Sequence, residues 1–63
     1  MKPTHIRCAT MPNGDIEASD IYHGGTDRVI VNCQSGNAIY STVRPSSDMF
    51  RWLVTAARKH VAK

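Results

Sequence analysis

The sequence predicts an α+β domain: a small antiparallel β-meander of three to four strands packed against one C-terminal α-helix. Three observations predict it. Apolar residues alternate with period two through most of the 63-residue chain. Turn signals rich in Asn and Gly separate the alternating segments, and the period then changes to that of a helix behind a proline and two serines. A single domain spans 1–63, with strands at about 4–11, 15–22, 28–33 and 38–44 and a helix at about 46–62.

In the first strand, Ile6, Cys8 and Thr10 alternate with His5, Arg7, Ala9 and Met11. Asn13-Gly14 follows, a strong hairpin signal because both residues tolerate positive φ. The second strand sets Ile16 and Ala18 on one face and Glu17 and Ser19 on the other. Ile21 breaks that phase, which predicts a bulge near Asp20 or an early strand end. The stretch His23-Gly24-Gly25-Thr26-Asp27-Arg28 reads as a hairpin turn rather than an anion-binding nest, because it opens a strand and carries an aspartate. In the third strand Val29, Val31 and Cys33 share a face, with Arg28, Ile30 and Asn32 opposite. In the fourth, Ile39 and Val43 oppose Tyr40 and Thr42, and Pro45 ends the strand because it has no N–H for a ladder.

Ser46 or Ser47 is the expected helix N-cap, and Asp48 suits the first turn. Met49, Phe50, Leu53, Val54, Ala57 and Val61 form the apolar stripe, with Arg51, Thr55, Arg58 and Ala62 opposite. Trp52 belongs to neither face. It stands about 60–100° from the nearer stripe members, Met49 and Leu53, with Ala56, Lys59 and Lys63 one to three turns along. Two roles fit that position. Trp52 either packs on the sheet edge, for instance over Tyr40 and under the lysine stems, or stands as an interface anchor.

The formal net charge of +3 and a pI near 9.2 point to an acidic partner. The charge is divided along the chain: positions 12–27 hold Asp15, Glu17, Asp20 and Asp27 without a Lys or Arg. Positions 44–63 hold Arg44, Arg51, Arg58, Lys59 and Lys63 against Asp48 alone. No leader-like apolar run follows Lys2 and no stretch reaches a membrane-span length, so a cytoplasmic protein is expected. Cys8 and Cys33 are accordingly expected as free, mostly buried thiols.

Chemistry-bearing patterns are sparse. His5, Cys8, His23, Cys33 and His60 are the candidate metal ligands, but His5 and Cys8 stand three apart in a strand and point to opposite faces. Both cysteines alternate with apolar residues on the expected buried face, where a thiol acts as a small hydrophobe, and no serine sits in a nucleophile-elbow pattern. The expectation is a non-enzyme with no cofactor and no metal. The leading function is a small regulator or inhibitor of phage or mobile-element type that binds a larger protein. Its contact residues would be Trp52, Arg51, Arg58, Lys59 and Lys63, and a homodimer is a second candidate partner. The alternative is a nucleic-acid-binding module using the basic helix face. In element order alone, the chain resembles small DNA-binding modules such as the arm-binding domains of phage integrases and plant AP2 domains.

Overall fold

The computed structural model describes residues 5–21 and 27–61. Four strands, β1 (Ile6–Thr10), β2 (Ile16–Asp20), β3 (Arg28–Val31) and β4 (Ala38–Ser41), precede one helix, α1 (Asp48–Val61). The strands form one antiparallel sheet in the order β1-β2-β3-β4, the predicted meander, and α1 covers one face. The predicted turn sequence His23 to Arg28 falls mostly outside the described residues.

The first hairpin closes through Met11 N–H to the Asp15 carbonyl at 2.7 Å and Gly14 N–H to the Met11 carbonyl at 2.8 Å. That leaves a three-residue loop, 12–14, in which only Gly14 has positive φ, at 95°. Asn13 keeps negative φ and uses its side chain instead, Oδ1 accepting from the Asp15 N–H at 3.0 Å. The turn is therefore a type I turn with a left-handed glycine, not the two-residue form with both residues at positive φ. The β3–β4 hairpin uses the same device. Asn32 Oδ1 accepts from Gln34 and Ser35 N–H, both at 2.9 Å, and Gly36 takes φ 75°. The Cys33 N–H donates to Asp15 Oδ1 at 3.3 Å and ties the two hairpins together at one end of the sheet.

The phase break at Ile21 resolves as an early strand end. Asp20 takes the third inward position after Ile16 and Ala18 and is 0% exposed, while Ile21 turns to solvent. No buried side-chain nitrogen or oxygen among the described residues lacks a hydrogen-bond partner. In β4 the predicted alternation fails. Ala38 pairs with Val31 and Tyr40 with Ile30, so Ile39 is the extra residue of a bulge and is 56% exposed. Val43 still packs on the core, without Ile39 beside it.

Ser47 is the helix N-cap: its Oγ accepts from the Phe50 N–H at 3.1 Å and donates to the Arg44 carbonyl at 2.7 Å. Leu53, Val54 and Ala57 are buried against Ile16, Ala18, Val29 and Val31, with Met49 and Phe50 at the margin. Each fully buried Val or Leu contributes about 1.5–3 kcal/mol, which is where most of the stability of so small a domain resides. Val61, predicted in the core stripe, is instead 39% exposed. By the last turn α1 has reached the hairpin end, where Arg58 meets Gly36 and His60 meets Thr10. Cys8 and Cys33 are not joined in a disulfide and are only half-buried, because Cys8 lies on the edge strand and Cys33 in a turn.

Candidate functional site

The helix lies across β2 and β3, reaches β1 and scarcely meets β4. Its flank toward β1 therefore forms one wall of a groove whose other wall is the edge strand. Ile6, Trp52, Thr55, Ala56 and Lys59 line a section of about 230 Å³. A second section of about 470 Å³ continues past Cys8 and His60, sharing Ile6, Ala56 and Lys59 with the first. His60 Nε2 approaches Thr10 Oγ1 at 3.5 Å on the far side. Ala56 opens the space: a larger side chain there would fill the gap between helix and strand.

Trp52 is half-buried in this wall, beside Ile6 of β1. Tyr40, suggested by sequence as its packing partner, is on the opposite edge strand, on the face away from the helix. There the Arg28 guanidinium carbon sits 5.5 Å from the Tyr40 ring centroid. The same guanidinium bonds Glu17 Oε2 at 3.2 Å, so the outer face of the sheet carries a charge-compensated row.

The five predicted contact residues divide. Trp52 and Lys59 come together in the groove. Arg58 lies toward the other side of the helix, its Nε donating to the Gly36 carbonyl at 2.9 Å. Arg51 pairs with Asp48 one turn before it. Lys63 lies outside the described residues. Ile6 is the member that sequence reasoning missed. Its inward phase marked it as core, and its place on an edge strand was the signal that half of it would remain open.

The acidic front half is largely neutralised by the fold. Asp15, one of the four acids of positions 12–27, is 7% exposed and accepts from the Cys33 N–H. Asp20 is buried, Glu17 pairs with Arg28, and Asp48 pairs with Arg51. Arg7, Arg44 and Lys59 are exposed and have no ion-pair partner among the described residues. The surface is thus more basic than the linear charge distribution suggests. No three His, Cys, Asp or Glu side chains converge among the described residues in a way that could hold a metal ion, and no described helix is long and apolar enough to cross a membrane. Among the described residues the groove offers an apolar floor, the Trp52 indole, the Thr55 hydroxyl, the Lys59 ammonium group and, in its second section, the Cys8 thiol and the His60 imidazole. That set can hold an apolar side chain beside a negative charge.

No protein-family model, curated protein or solved structure matches this chain.

Proposed function

We propose that this domain is a small regulator or inhibitor that acts in the cytoplasm by binding a larger protein rather than by catalysis. The observation that supports it is the groove between α1 and β1, where a half-buried tryptophan, an isoleucine and a lysine meet on an open sheet edge. Tryptophan is among the residues most enriched at interface hot spots, and a partly exposed apolar floor gains from being covered. Regulators of this size carried by phages and other mobile elements fit the same description, since occupying a surface requires no enclosed pocket.

A second reading, nucleic-acid binding, is favoured by one observation: Asp15 and Asp20 are buried and Glu17 and Asp48 are paired, while Arg7, Arg44 and Lys59 are exposed without an ion-pair partner among the described residues. The outer face of the sheet argues against it, because Arg28 is already bound to Glu17 and Tyr40. The two readings separate by salt dependence. Phosphate contacts give an affinity that falls steeply with salt, with a slope of about −0.9 per contact on duplex DNA. Mixed oligonucleotides are expected to give no mobility shift at moderate salt, while the immobilised domain retains a stoichiometric protein from cell extract. A salt-steep oligonucleotide shift without a retained protein reverses the order.

A further inference from the structure

We infer that the partner supplies an extended, acidic segment that pairs with β1 as a fifth strand and drops alternate apolar side chains into the α1–β1 groove. This rests on the protein-binding reading above and specifies the chemistry of the partner.

Backbone geometry makes β1 the receiving edge. The Ile21 N–H donates to the His5 carbonyl at 3.2 Å and the Met11 N–H to the Asp15 carbonyl at 2.7 Å, and these bonds bracket the β1–β2 ladder. Bonded pairs alternate in an antiparallel ladder, so the odd-numbered residues from His5 to Met11 bond to β2. The even-numbered ones turn their N–H and C=O away from it. Those of Ile6 and Thr10 have no partner among the described residues. No proline interrupts β1, and its single charge, Arg7, lies on the outer face. The other edge is a poor template, because the bulge at Ile39 breaks the regular spacing of β4.

The groove sets the side-chain pattern. A strand added to β1 presents alternate side chains toward α1, about 6.8 Å apart, which matches two neighbouring sections along one groove. The intervening side chains fall on the outer face beside Arg7. Charge then selects the composition. Lys59 lines both sections, Arg7 flanks the other face, and no carboxylate among the described residues lines the groove. The expected ligand is a segment of about five residues with apolar side chains at i and i+2 and Asp or Glu between or beside them. A second copy of this chain fits less well, since pairing two β1 edges sets Lys59 near its own copy. The sugar-phosphate backbone of DNA can accept from the outward N–H groups but has no donors for the outward carbonyls.

The test is selection of a phage-displayed random-peptide library on the whole domain, followed by titration of the selected peptides. Expected ligands are acidic, alternate in apolar character, and shift the amide resonances of β1 and of 52–60. Thr10→Pro removes an outward N–H that β2 does not use and is expected to weaken binding by about tenfold with the β2–β3 amide resonances unchanged. Lys59→Glu is expected to weaken it by about fivefold. Selected peptides that map to another face, or that bind Thr10→Pro as tightly as the parent, overturn strand addition and leave protein binding standing. Failure to select any peptide, combined with oligonucleotide binding or self-association by sedimentation, overturns both.

Discussion

Replacing Leu53 by alanine tests whether the helix is held by the contacts described. Leu53 is 0% exposed and sits at the centre of the apolar stripe, facing Ile16, Ala18, Val29 and Val31 across the only sheet–helix interface among the described residues. Truncating a buried leucine removes its transfer free energy and leaves a cavity, at a cost of about 2–5 kcal/mol. A 63-residue domain has a total stability of about 3–9 kcal/mol at the usual value per residue. The substitution therefore removes between about a fifth of the stability and all of it. Each kcal/mol moves Tm by about 4–8 °C in a domain of this size, so a loss of 3 kcal/mol lowers Tm by about 12–24 °C. Urea unfolding followed by far-ultraviolet circular dichroism gives the same quantity as a drop in midpoint with the slope unchanged. A loss below about 1 kcal/mol would refute the packing, because no well-filled interface relaxes around a missing isobutyl group so cheaply.

Three further substitutions address the local structure. Asp15→Ala leaves the partly buried Cys33 N–H without its acceptor and unlinks the two hairpins; a loss of about 1–3 kcal/mol in urea unfolding is expected. Gly14→Ala forces a side chain into φ 95° with its Cβ 3.4 Å from Cys33 Sγ, and is expected to destabilise by about 1 kcal/mol or more in the same assay. Ser47→Ala removes the cap on the Phe50 N–H and is expected to cost about 1 kcal/mol and to fray the first turn of α1, read from amide exchange at 48–51.

The sheet order and the helix were legible because each strand carried its own alternation and each connection its own turn residues. Ser47 was legible as one of two caps from the serine pair alone. Position 39 was not, because Ile39 and Tyr40 are both apolar and a bulge between them leaves no mark in the hydrophobic pattern. The phase break was read at Ile21, and the inward position of Asp20 was not, since a carboxylate at the end of a core face runs against expectation and its burial depends on contacts distant in sequence. Asp15 looked like surface charge for the same reason: its acceptor role toward the Cys33 N–H joins two hairpins eighteen residues apart. For Trp52 the helical wheel fixed the angle from the core stripe, but not which sheet edge lies beneath that angle. The way α1 crosses the sheet decides that, and it places Ile6 rather than Tyr40 beside the indole.

The central claim, that the Trp52 groove is a binding surface rather than part of the core, is tested most directly by Trp52→Ala with binding and stability measured on the same sample. If the claim holds, retention of the partner protein weakens by about 2 kcal/mol or more, roughly thirtyfold, while the loss of folding stability stays well below that of Leu53→Ala. A Trp52→Ala protein that keeps full affinity, or that unfolds as readily as Leu53→Ala, contradicts it.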